Sequence, residues 1–261
     1  MIFKNSTHQY IIDGENYKSF SSIIKLVEPE KNWLQIAEAY AKKHKRTVAD
    51  VQAEWAENGR LSRERGTLFH SLKENEDISC SDRPVFYEET INDIKNIKNL
   101  ETLEDGVYPE LVLYNNYHKA CGTADKVIIE TVDGKRYVDI YDYKTSKTID
   151  TESYYNNRTQ EYARLNVPLS SVMDCNLSKY TLQLSMYAFF LEKYNFTPRH
   201  LKVIHLAIKE FDENNLQDFE NSKYKIEHEG KKLYVGEETI YNVPYMAKEV
   251  RSLLNFHRNQ L

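Results

Sequence analysis

The chain has 261 residues, 41% hydrophobic and 29% charged, with a formal net charge of −5. It is long enough to bury a full core, and no apolar run reaches the ~20 residues of a membrane span. With 35 basic against 40 acidic residues, the whole molecule offers no field that attracts nucleic acid, so any such contact must be local. The three cysteines, Cys80, Cys121 and Cys175, are scattered. They give no disulfide, zinc or iron–sulfur spacing, which fits a reducing, intracellular setting.

Residues 8–20 alternate weakly about Asp13-Gly14 and predict a small hairpin. Ser21-Ser22 is placed to cap a helix over 23–27. Trp33, Ile36, Ala37, Tyr40 and Ala41 share a helical face. Thr47 and Asp50 resemble a capping box for a helix through Trp55, with Asn58-Gly59 as its stop. Ser62 can cap the next helix, to about Asn75. Residues 79–83 read as a loop, and 87–99 as a helix with Ile91, Ile94 and Ile97 as its stripe. The run Lys42-Lys43-His44-Lys45-Arg46 is either a solvated helix end or a basic patch.

Residues 107–145 predict a meander of three strands, with turns at Asn115-Asn116 and Asp133-Gly134. A polar, tyrosine-rich insertion follows over 148–174, either a functional loop or a surface link. Then come a helix at 180–194, a buried strand at 201–208, a hairpin about Glu229-Gly230 and a helix at 246–257. No repeat or flexible linker divides the chain, so 1–261 reads as one domain. Within it, 1–100 is a mainly helical lead-in, 101–210 the core, and 211–261 a terminal hairpin and helix.

The chemistry concentrates in the meander. Side chains alternate along a strand, so Asp142 and Lys144 project from one side. Asp125 lies seventeen positions earlier, and can join them if the two strands are neighbours. Glu110 is the fourth inward polar candidate. Two carboxylates and an ammonium at one place suit Mg²⁺ or Mn²⁺, which prefer hard oxygen ligands. On a helix, Arg63, Gly66, Thr67 and His70 share a face. Glycine costs a helix interior roughly 1 kcal/mol, so Gly66 suggests a close approach of another backbone or a substrate. Gln183 and Tyr187 lie four apart on one face. They could contact a phosphate, a base or a carboxylate, or could simply be core.

Taken in order, these motifs resemble the RecB-like branch of the PD-(D/E)XK nuclease superfamily. They are Gly66-Thr67-x-x-His70, Glu110, Gly122-x-x-Asp125, Asp142-Tyr143-Lys144-Thr145 and Gln183-x-x-x-Tyr187. Residues 33–43 also look like the helical lead-in of phage-type and mitochondrial genome maintenance exonucleases. The second motif reads Thr-Ala-Asp125 where Pro-Asp is common. The four-cysteine iron–sulfur cluster of several relatives has no counterpart here.

The resemblance implies an α/β fold: a restriction-endonuclease-like core with a central mixed β-sheet flanked by helices, plus an N-terminal helical region. It implies one or two Mg²⁺ or Mn²⁺ ions held by His70, Asp125, Asp142 and the Tyr143 carbonyl. Lys144 would orient or activate the attacking water, and Glu110 would support the metal. Gln183, Tyr187, Arg63, Arg65, Thr67 and Thr145 would brace the site or touch DNA. The implied activity is that of a metal-dependent DNA exonuclease of replication, recombination or repair, in the cytoplasm of a bacterial or phage-infected cell. Single-stranded or frayed ends are the expected substrate, from the richness in aromatics and from Tyr154 and Tyr155 in the insertion. A helicase, recombinase or single-strand-binding protein is the expected partner, and no membrane. The alternatives are an endonuclease of the same fold and a non-catalytic DNA-binding subunit. Asp142→Ala and Lys144→Ala are both expected to fold normally and lose cleavage.

Overall fold

The computed structural model describes residues 2–4, 9–12, 14–87 and 98–261. The N-terminal ribbon is β1 (Ile2–Lys4), β2 (Gln9–Ile12) and β3 (Glu15–Ser19), joined antiparallel. These strands were not expected beyond the small hairpin. Helix α1 (Phe20–Ile24) begins earlier than the sequence predicts, because Ser19, not Ser21 or Ser22, accepts the Ser22 N–H at 3.2 Å. Residues 25–27 tighten into a 3₁₀ turn.

Helix α2 (Trp33–His44) is capped by Asn32 and closed by Lys45 in the left-handed region. Thr47 then accepts the Asp50 N–H at 3.1 Å and opens α3 (Val48–Ser79). The stop expected at Asn58-Gly59 is absent, and the two expected helices are one of 32 residues. Gly59 keeps a helical backbone. Arg60 bridges that turn, reaching Glu57 at 2.6 Å and Glu64 at 2.8 Å. Such i,i+3 and i,i+4 pairs help offset the intrinsic cost of glycine. Most of the helix expected at 87–99 lies outside the described residues.

The meander forms as predicted, from β4 (Gly106–Asn115), β5 (Ala120–Val132) and β6 (Lys135–Lys144). Asp133 and Gly134 both take positive φ, the requirement of a tight two-residue hairpin. The insertion carries a small ladder, β7 (Tyr155–Asn156) with β8 (Glu161–Tyr162). Helix α4 (Asn176–Glu192) follows and returns the chain to β9 (Phe196–Glu210), which runs parallel to β6. A parallel neighbour needs such a crossover. Helix α5 (Leu216–Asn221), the hairpin of β10 (Lys225–His228) and β11 (Lys231–Val243), and α6 (Ala247–Arg258) complete the chain.

The described strands form a mixed sheet in the order β1-β2-β3-β5-β6-β9-β11-β10, with β4 also on β5. Helices flank it. On one face Val127, Ile129, Val138, Ile140 and Val203 pack with α1, α4 and α6. Leu182, Leu184, Met186, Tyr187, Phe190 and Leu191 of α4 are all at most 1% exposed. Each such side chain contributes roughly 1.5–3 kcal/mol by burial. On the other face, Phe69 and Leu72 of α3 cover Tyr143, Ile204 and Leu206. The site lies where α3 crosses the end of β6. No described helix is long and apolar enough to cross a membrane.

Candidate active site

Strand β5 is paired unevenly. One edge carries β4 from Ala120 to Ile129. The other edge meets β3 only at Ala120 and Cys121, and β6 only from Lys126 onward. Among the described residues, 122–125 have no strand on that side. The Asp125 side chain occupies the opening, and its Oδ2 accepts the Tyr143 N–H at 2.6 Å. A carboxylate thereby satisfies a backbone donor that a strand would otherwise have taken.

Two further side chains meet Asp125. Glu110 faces it across β4 and β5, between the pairs Pro109–Lys126 and Leu111–Ala124. Its φ is +50°, in the left-handed region, within β4. His70 arrives from α3, with Nδ1 3.7 Å from Asp125 Oδ2. His70, Glu110 and Asp125 each place a ligating atom within 4.8 Å of the others.

Beside this trio, Asp142 and Lys144 project together as their alternation demands, Oδ2 to Nζ at 2.5 Å. Asp142 is fully buried, and its carboxylate oxygens lack hydrogen bonds of good geometry. Burial raises its pKa, Lys144 pulls it back, and the nearby Asp125 charge pushes it up again. Burial works against the Lys144 ammonium, but Asp142 and Asp125 outweigh it and hold the lysine charged. One imidazole and two carboxylates close together, with a third carboxylate buried beside them against an ammonium, suit a hard divalent cation.

The helices fix these groups from behind. A Cβ at Gly66 would come within 2.9 Å of Thr145 Oγ1, so only glycine lets α3 sit this close to the end of β6. Tyr187 is buried and donates to the Thr123 carbonyl at 2.6 Å, two residues before Asp125. Gln183 donates to Tyr187 at 2.9 Å. Gly122 makes room for this brace, because a Cβ there would meet the rings of Phe20 and Tyr187. His205 closes the far side, with Nε2 2.6 Å from the Ser146 carbonyl.

Neither a family model nor a curated protein matches this chain.

Of the residues singled out in the sequence, His70, Glu110, Asp125, Asp142 and Lys144 converge. Thr145, Gln183 and Tyr187 support them. Tyr143 meets the site through its backbone, while its ring lies on the α3 face and its hydroxyl donates to Asp77 at 2.8 Å. Arg63 and Thr67 stay on the exposed flank of α3, and the Thr67 hydroxyl is taken by the Arg63 carbonyl. Arg65 is half-buried, with a buried Nε that lacks a partner. Tyr155 packs edge-on against Tyr162 within the insertion, and Tyr154 is 75% exposed. Two residues went unread. Tyr180 lies 4.9 Å beneath Lys144 Nζ, and Asp77 binds both Tyr143 and Lys126. Tyr180 was available as the i−3 neighbour of Gln183 on one helical face. Asp77 stands i+7 from His70 on α3.

Proposed function

We propose that this chain is a metal-dependent nuclease of the RecB-like PD-(D/E)XK kind, acting on DNA from free, preferably single-stranded ends. The observation that carries the reading is the convergence of His70, Glu110 and Asp125 beside the buried Asp142–Lys144 pair. These residues stand in motif order on the elements that the resemblance implies, within a mixed sheet flanked by helices.

Phosphodiester hydrolysis brings a nucleophile to the phosphorus of an already anionic group. His70, Asp125 and Asp142, with support from Glu110, would hold Mg²⁺ or Mn²⁺. Such an ion supplies Lewis acidity toward a phosphate oxygen and makes water more acidic. Lys144 contributes a fixed ammonium with no ligand of its own to offer. Its charge stabilises the negative charge on the non-bridging phosphoryl oxygens in the transition state and favours deprotonation of the attacking water. Asp142 holds that ammonium in place, and Tyr187 and Gln183 hold the strand that carries Asp125. Burial around Asp142 keeps these interactions strong by excluding water.

The test is digestion of end-labelled linear single-stranded and duplex DNA and of a closed single-stranded circle, with Mg²⁺, Mn²⁺ or EDTA. Linear strands should shorten only with metal, and the circle should survive. Asp142→Asn should reduce the rate at least ~10²-fold, the scale of losing one electrostatic group. Cutting of the circle would replace the exonuclease with an endonuclease. Absence of metal-dependent cleavage from every substrate would reject the reading.

A further inference from the structure

We propose that the exposed face of α2 is a stacking platform for single-stranded nucleic acid, set at the outer end of α3 from the candidate site. The nuclease reading says what becomes of the strand, and the inference rests on it for that alone. Trp33, Leu34, Ile36 and Tyr40 are 62%, 54%, 42% and 37% exposed. Trp33, Ile36 and Tyr40 follow the i, i+3, i+7 spacing of one face. No other helix among the described residues exposes more than one large apolar side chain. Ala37 and Ala41, beside Ile36 and Tyr40 on the same apolar arc, are the part that α3 covers, packed on Val51 with Val48 and Trp55. The large side chains are left at the rim of that contact, where Tyr40 stacks on His44 at 4.2 Å and meets Trp55 edge-on at 5.7 Å.

Charge says what meets this face. Lys31 Nζ stands 5.9 Å from the Trp33 ring, and Lys42, Lys43 and Lys45 are exposed at the end of the helix. In that basic run, among the described residues, only Arg46 has an acidic partner, Glu54. Aromatic faces interleaved with lysines match a strand whose bases are unpaired and whose backbone is anionic. A duplex hides its base faces. A second copy of this chain would set lysines against lysines, and four side chains offer far less than the ~800 Å² per partner of a stable interface.

Position completes the argument. Val51 and Phe69 are eighteen residues apart on α3, five full turns, so α2 and the sheet lie on the same side of it, ~27 Å apart along its axis. Asn58 and Ser62 fall on that side in between and are exposed. A strand lying on α2 can therefore run along α3 toward His70.

The chain has two tryptophans, Trp33 and Trp55. In Trp55→Phe, Trp33 is the only tryptophan reporter. An oligo-dT titration in EDTA, which removes cleavage, should quench its fluorescence to saturation. The quenching should fall several-fold in Trp33→Phe, where only Trp55, edge-on to Tyr40, reports. Tyr40→Ala and Lys42→Glu/Lys43→Glu should each weaken binding about ten-fold, and duplex of equal length should quench little. Binding without quenching, no binding, or equal quenching by duplex would each overturn the platform. So would burial of Trp33 by self-association seen in sedimentation. A chain that binds and quenches but never cleaves would remove the nuclease reading and leave the platform.

Discussion

Asp142 sits wholly out of water, made tolerable by the ammonium 2.5 Å away. That pairing makes the two partners unequal as targets. Asp142→Asn should abolish cleavage. It leaves the Lys144 ammonium with Asp125 as its remaining compensating charge, so its urea midpoint should fall, but by less than that of Lys144→Ala. Lys144→Ala strands a buried carboxylate, which typically costs ~3–5 kcal/mol. Chemical denaturation should therefore show Lys144→Ala to be destabilised, where the sequence alone suggested a normal fold. Tyr180 should separate packing from charge. Tyr180→Phe keeps the aromatic face under Lys144 and should keep the rate, whereas Tyr180→Leu should lose roughly several-fold in kcat, the worth of one cation–π contact. Equal rates in both variants would make Tyr180 a spectator. The convergent residues were legible because short-range geometry fixes them: i, i+2 on a strand for Asp142 and Lys144, i, i+4 on a helix for Gln183 and Tyr187. Arg63 and Thr67 share the helical face of Gly66 and His70 but stand exposed beside the contact, because a shared face does not say how wide the contact is. The contact at Gly66 is narrow, and both residues fall outside it.

At the scale of elements, α3 is where local signals misled. Asn58-Gly59 is a good stop, yet the helix runs on, held from Arg60 by Glu57, Glu64 and, from the β10–β11 turn, Glu229 at 2.8 Å. His228 joins the same cluster, 3.1 Å from Glu64. That last anchor comes from residues some 170 positions away and is invisible to any local window. Gly66 is a point of close approach, as expected, but what approaches is the Thr145 side chain and not another backbone or a substrate. Gly66→Ala should gain helix propensity but push on Thr145, for a net loss of ~1–3 kcal/mol. Thr145→Ala in the same chain should recover much of it. Thermal unfolding of the two single variants and the double variant checks this, and simple additivity would mean that the two residues do not meet.

Across the whole molecule, long-range pairing was the hardest feature to foresee. The meander joins neighbours in sequence and follows from its turns. The parallel seat of β9 beside β6, and the attachment of β3 to β5, depend on burial that no segment displays alone. The docking of α6 also gathers charge sensitivity. His118 is buried near Lys193, Arg258 and His257, and burial first, then those cations, push its pKa down to about 4. Burial also lowers the pKa of His257. A histidine held neutral when folded stabilises above its unfolded pKa of about 6.5, and loses that contribution as pH falls toward 4. Stability in urea should thus drop between about pH 6.5 and 4, by an amount on the order of 3 kcal/mol at most from His118. His118→Gln should flatten that slope, and an unchanged slope would assign acid sensitivity to other groups.

Asp125 stands in for a missing strand while it also offers charge to the site. One substitution there can therefore confound two losses. Alanine would remove the negative charge and leave the Tyr143 amide orphaned, so an inactive alanine variant would not tell failed chemistry from a collapsed opening. Asparagine keeps an oxygen for that amide and discards only the charge. The difference in amide exchange at Tyr143 between the two variants measures what the opening needs to stay open, and the activity of the asparagine form measures what the chemistry needs.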